Sequence, residues 1–176
     1  MQIQKNLLEK LSKIKMLVMD VDGTMTDSTV YYSKDGETLK RFSIRDGMGI
    51  NLLHRHGIRT GIITSENSGI VTSRAAKLGI ADVIMSSKNK KASIIEITQK
   101  YNLDLNEIAF IGDDVNDWYV IQAVAFGCCP ADATDSIKEV VDFISKFNGG
   151  FGAIREICEL ILISQNKPID LPEDWY

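Results

Sequence analysis

Short apolar runs that stop abruptly on a carboxylate or a hydroxyl, with stretches of helical period between them, are what most limits how this chain can fold. Met16-Leu17-Val18-Met19 closes on Asp20, Gly61-Ile62-Ile63 closes on Thr64, and the run from Ile108 to Gly112 closes on Asp113-Asp114. Runs this short, without polar alternation, are those of strands covered on both faces, as in a parallel sheet. The pattern predicts strands over 15–19, 58–64, 82–85 and 108–112. It predicts helices over 4–14, 47–56, 68–78, 90–101, 117–125, 136–140 and 151–164, the third stopped by Gly79. One segment breaks the alternation. Tyr31-Tyr32 and the stretch from Leu39 to Phe42 flank Ser33-Lys34-Asp35-Gly36-Glu37, which predicts a β-hairpin over about 29–42. The expected fold is therefore α/β, a doubly wound parallel sheet with a protruding hairpin, built as one domain over 1–176 with a tail from 166 to 176.

Composition narrows the function classes. With 176 residues, 44% hydrophobic and 25% charged, the chain matches ordinary globular domains and can bury roughly 70% of its unfolded surface. A net charge of -4 with no basic run argues against a nucleic-acid partner. No apolar run approaches the ~18 residues of a membrane span, and the charged start lacks the apolar stretch of a signal peptide. Three cysteines, two of them adjacent (Cys128 and Cys129), form neither a disulfide framework nor a C-x-x-C pattern, so a reducing, cytoplasmic setting is expected. The cysteine pair is expected to be buried behind the sheet.

In open parallel sheets ligands bind outside the carboxyl ends of the strands. Asp20, Asp22, Thr64, Asp113 and Asp114 all fall there. Asp20-Val21-Asp22-Gly23 alone reads equally well as a strand exit into an Asx turn. The second acidic pair changes the balance, because four carboxylates at one sheet edge repel unless a hard cation is bound, and Mg²⁺ favours such oxygen ligands.

With these residues in order, the chain resembles the haloacid dehalogenase superfamily of aspartate-nucleophile phosphatases over nearly its whole length. The family's Asp-x-Asp-x-Thr stands at Asp20 to Thr24, its strand-end Thr at Thr64, its helix-opening Lys at Lys90 (with Lys91 as the alternative), and its Gly-Asp-Asp-x-x-Asp at Gly112 to Asp117. The resemblance implies that Asp20 attacks phosphorus and that Asp22 is general acid, then base. It implies that Thr64 and Lys90 hold the phosphoryl oxygens, and that Mg²⁺ is bound by Asp20, the Asp22 carbonyl and Asp113. Asp114 and Asp117 would orient water, ligands or Lys90. Only about forty residues separate Asp22 from Thr64, and twenty-two lie between Lys90 and Asp113, so there is no room for a cap domain.

Capless members with similar local runs are the 3-deoxy-D-manno-octulosonate 8-phosphate phosphatases and their nine-carbon relatives. The runs are Asp20 to Asp27, Phe42 to Ile50, and Asn148 to Glu156. The resemblance implies a phosphorylated sugar-acid substrate from lipopolysaccharide or sialic acid biosynthesis and a homotetramer whose subunits close each other's sites. Substrate contacts are expected from Arg45, Asp46, Gly47, Ser65, Glu66, Lys77 and Arg155. The octulosonate branch carries Thr-Gly-Arg where this chain has Thr64-Ser65-Glu66. Glutamate there, with a lysine at the position of Lys77, resembles relatives acting on nine-carbon 9-phosphates of ketodeoxynononate or N-acylneuraminate type, so the expectation leans to nine carbons over eight. Asn148-Gly149-Gly150-Phe151-Gly152 is an anion-cradle candidate at a helix start. A signalling receiver domain would place its phosphorylated Asp on a middle strand and its Lys last, contrary to the order here. A phosphomutase would need a cap. A non-catalytic tetramerisation module, of the kind attached to sugar-acid cytidylyltransferases, remains a rival reading.

Overall fold

The computed structural model describes residues 5–171, so the end of the expected tail, 172–176, lies outside it. A helix α1 (Lys5–Ser12) leads into β1 (Met16–Met19), which is followed by the antiparallel pair β2 (Thr26–Ser33) and β3 (Gly36–Phe42). Then come α2 (Ile44–Arg55), β4 (Arg59–Ile63), α3 (Gly69–Leu78), β5 (Asp82–Ile84), α4 (Lys90–Tyr101) and β6 (Ile108–Ile111). The last part holds α5 (Trp118–Ile121), β7 (Phe126–Cys129), α6 (Asp135–Lys138), β8 (Phe143–Ile144) and α7 (Ala153–Ser164).

Six strands form one parallel sheet in the order β5-β4-β1-β6-β7-β8. From β1 the chain builds outward first on one side and then on the other, so the loops after β1 and β6 diverge and leave a crevice at their carboxyl ends. Strand alternation feeds two cores. Leu17, Met19, Ile62 and Ile111 face the layer of α1, α2, α3 and α7, while Met16, Val18, Ile63 and Phe110 face that of α4, α5 and α6. Among the described residues no helix is long and apolar enough to cross a membrane.

The expected doubly wound sheet and its hairpin are present, with differences at the edges. Cys128 and Cys129 lie within the sheet, on β7, rather than behind it. The expected helix over 117–125 is shortened to α5, preceded by a 3₁₀ turn over Val115–Asp117, because the Asp117 carboxylate folds back to accept from the Asp113 N–H. α7 begins at Ala153 rather than Phe151, after Gly150 and Gly152 at positive φ.

Candidate active site

Three strand ends deliver the first groups to one place. Register puts Met19 beside Ile62 and Ile111, so Asp20 leaves β1 between the ends of β4 and β6, with its N–H on the Ile111 carbonyl at 3.0 Å. Thr64 follows β4 and is 2% exposed. Asp113 follows β6 and accepts from Thr24 Oγ1 at 3.2 Å, which ties the β6 loop to the β1 loop. Gly23 has φ +85, and a Cβ there would stand 2.0 Å from Asp113 Oδ2, so only glycine lets that carboxylate sit against the loop.

Lys90 opens α4, buried, and its Nζ donates to Asp20 Oδ1 and Asp117 Oδ1, each at 2.6 Å. Lys91, one residue on, is exposed, so the structure brings Lys90 to the site. Asp117 is fully buried; its other oxygen takes the Asp113 N–H at 3.0 Å, fixing Lys90 and the β6 loop together. Asp114 caps the 3₁₀ turn through the Val115 N–H at 2.7 Å.

Asp20, Asp113 and Asp117 each present an oxygen within 4.8 Å of the others. Three carboxylates against one ammonium leave two negative charges, and the field shows it. Burial, then repulsion from Asp117, pushes Asp20 up to about 7 despite Lys90. Burial, then Asp20 and Asp117, pushes Asp113 up to about 8. Burial also works to lower Lys90, but Asp20 and Asp117 outweigh it and hold the ammonium above the ordinary lysine value. A hard dication would cancel the surplus, so the donor set fits one of the Mg²⁺ type.

The sign of the pH effect follows. Without metal, Asp20 and Asp113 hold protons in the folded state up to about pH 7 and 8, whereas unfolded aspartates ionise near ~4. The folded chain binds more protons across that window, so the metal-free protein should lose stability as pH rises from ~4 toward ~8, then level off. Mg²⁺ should flatten this slope and bind more tightly as those protons leave. Melting curves against pH, with chelator and with Mg²⁺, check both; a metal-free midpoint that climbs over this range would contradict the cluster.

The cleft over these groups has a volume of about 310 Å³ and is lined by Asp20, Asp22, Ser28, Thr64, Ser65, Glu66, Asp113, Asp114 and Asn116. A second hollow of about 310 Å³ lies at the amino ends of the strands, beside His54, Arg59 and Tyr101, away from the convergent carboxylates. Of the expected substrate contacts, Ser65 and Glu66 line the cleft and the others do not. Asp46 is 3% exposed and accepts from the Arg155 N–H at 2.8 Å, which engages it with the first turn of α7. Gly47 packs under Arg74, and the Arg155 Nε donates to Glu159 at 2.5 Å. Arg45 on α2 and Lys77 on the last turn of α3 are exposed, outside the lining.

Three contributors escaped the sequence reading. Asn116 lies inside the Gly-Asp-Asp-x-x-Asp motif and donates to Ser65 Oγ at 3.1 Å, so that motif was its signal. Ser28 lines the cleft from a bulge in β2 at φ 61, which no sequence pattern marks. Lys40 on β3 donates to Asp22 Oδ1. The glycines from Asn148 onward pack on the β1 loop, with the Gly150 N–H on the Thr24 carbonyl at 3.1 Å, rather than standing as a free anion cradle.

A family profile described as haloacid dehalogenase-like hydrolase matches residues 60–157. The chain is 33% identical over 165 residues to the 3-deoxy-D-manno-octulosonate 8-phosphate phosphatase KdsC of Escherichia coli K12, covering 94% of this chain and 88% of that protein. The Yersinia pestis phosphatase of that name superposes with a TM-score of 0.91 at 33% identity, over 94% of this chain and 89% of the other. The Moraxella catarrhalis phosphatase, solved with magnesium, phosphate and KDO, gives 0.90 at 36% identity, over 93% and 94%.

Proposed function

The chain belongs to the haloacid dehalogenase-like hydrolases, in the capless 3-deoxy-D-manno-octulosonate 8-phosphate phosphatase family, and on that premise we propose that it is a Mg²⁺-dependent phosphatase removing the terminal phosphate of a 3-deoxy-2-ulosonic acid. The observation that carries the reading is the cluster of Asp20, Asp113, Asp117 and Lys90 at the sheet's switch point. Asp20, with Asp113 and the Asp22 carbonyl, would hold the cation, which when bound neutralises charge on the phosphoryl oxygens. Asp20 would attack phosphorus, Thr64 and Lys90 would bind the non-bridging oxygens, and Asp22 would pass a proton to the departing sugar oxygen and later take one from water. Asp117 keeps Lys90 directed at Asp20.

The sugar's length turns on Glu66. It lines the cleft, where its carboxylate accepts from hydroxyl or amide donors, of which a nine-carbon acid offers more than an eight-carbon one. That favours a nine-carbon 9-phosphate. The eight-carbon acid is the second reading, favoured by the named activity of the 33% identical relative. Arg45, Asp46, Gly47, Lys77 and Arg155 stay in the proposal as contacts made across subunits or through backbone placement. The hairpin's exposed Tyr31, Tyr32 and Leu39 support a homotetramer joined there, and three free buried cysteines suit a cytoplasmic setting.

The test is phosphate release with Mg²⁺ from octulosonate 8-phosphate, N-acetylneuraminate 9-phosphate and a hexose 6-phosphate. A kcat/KM preference of about a hundredfold for the nine-carbon ester, lost in Glu66→Arg, is the expected result. Preference for the eight-carbon ester would return the chain to the octulosonate activity. No turnover of any of them would favour the non-catalytic tetramerisation module.

A further inference from the structure

The hairpin carries a buried charge into the site. The Lys40 side chain is 1% exposed, its ammonium donates to Asp22 Oδ1, and it stands 3.4 Å from Glu37 Oε1. Glu37 accepts in turn from Ser68 Oγ at 3.2 Å, so the same pair reaches the start of α3, four residues beyond Thr64. Burying an ammonium is costly, and an apolar side chain of similar length would pack a hairpin base as well. Burial works to lower Lys40, yet the Asp22 and Glu37 carboxylates hold it above the ordinary lysine value, so the charge is kept.

What the charge does is hold the Asp22 carboxyl by its Oδ1. Asp22 Oδ2 is buried and has no hydrogen-bond partner, while the residue lines the cleft. We propose that Lys40 is a positioning residue that fixes the rotation of the Asp22 carboxyl for the proton transfers of the reaction. The inference rests on the phosphatase reading. In the first step an Asp20 oxygen forms a bond to phosphorus, the phosphorus–ester oxygen bond breaks, and its electron pair goes to the sugar oxygen, which takes the proton from the Asp22 carboxyl. In the second step water attacks phosphorus, the Asp20–phosphorus bond returns its pair to Asp20, and one water proton goes to the Asp22 carboxylate. One ester and one water become one alcohol and one phosphate, with both aspartates restored.

A positioning role predicts dependence on the leaving group, which general damage to the site would not give. Sugar alkoxides leave only when protonated, whereas nitrophenolate leaves without help. The measured quantity is kcat/KM, which reads the first half-reaction, for the better of the two ulosonate phosphates and for p-nitrophenyl phosphate. For Lys40→Met the ratio of sugar ester to aryl ester should fall by on the order of 10² relative to wild type, within the range for one misplaced general acid. If Lys40→Met does not accumulate as folded protein, Lys40→Leu reads the same ratio. An unchanged ratio, whether both rates fall together or neither falls, overturns the inference. Failure of the wild type on both esters would instead remove the phosphatase reading, and the inference with it.

Discussion

Asp20→Asn is expected to abolish turnover, by on the order of 10⁵ to 10⁶ in kcat, while leaving the fold in place. The magnitude follows from removing a covalent nucleophile, since the remaining binding and electrostatic groups retain only a small residual rate. The fold should survive because Asp20 is a source of repulsion as well as a partner. Its neighbours Asp113 and Asp117 gain from its neutralisation, and Lys90 keeps Asp117 at 2.6 Å. Its structural bond, the N–H to the Ile111 carbonyl, belongs to the backbone and is untouched. At pH 8 without metal the variant should therefore melt at or above the wild type, and with Mg²⁺ below it, because the cation loses a ligand. Phosphate release and melting curves at both conditions read this out. Appreciable turnover by the variant would place the nucleophile elsewhere and undo the assignment of every other group in the cleft.

The legible part of the site was the part carried by strand ends. Asp20, Thr64 and Asp113 announce themselves because a buried strand that stops on a polar residue has few places to put it. The same logic fails for β7 and β8. Phe126–Cys129 contains a glycine and Phe143–Ile144 is two residues long, so periodicity had nothing to register. Asp46 carries a structural bond that the chain does not spell out. It sits in a family-like run, and its Oδ1 accepts from the Arg155 N–H of a helix more than a hundred residues away in sequence. Lys40 was invisible because a lysine in a hairpin rich in Lys, Glu and Thr looks solvated. Only the fold reveals that β3 turns it inward onto Asp22. Strand ends could be read from the chain and Lys90 and Asp117 through the family resemblance, whereas Lys40, fixed by tertiary approach alone, could not.

Tertiary approach also makes a small change at Gly149 severe. A Cβ there would lie 1.9 Å from the Gly23 carbonyl oxygen, 2.6 Å from its carbon and 2.9 Å from the Thr26 carbonyl oxygen. All three are main-chain atoms, so no rotamer can move aside. The loop after β1 cannot retreat either, because its far side at Gly23 is filled by the Asp113 carboxylate. Gly149→Ala must then open the contact between the segment before α7 and the loop that carries Asp20 and Asp22. Overpacking of this kind costs about 1–3 kcal/mol of stability. A displacement near 1 Å at the reacting groups costs on the order of 10² in rate. Gly69→Ala is the matched control. It lies in the first turn of α3, has nothing within 4 Å of its Cβ position and is not at positive φ, so both stability and rate should stay at wild-type values. Melting curves and kcat for the two variants decide the matter. A Gly149→Ala protein as stable and as active as Gly69→Ala would mean that the two segments are not pressed together as described, and that the glycines after Asn148 serve some purpose other than close approach to the catalytic loop.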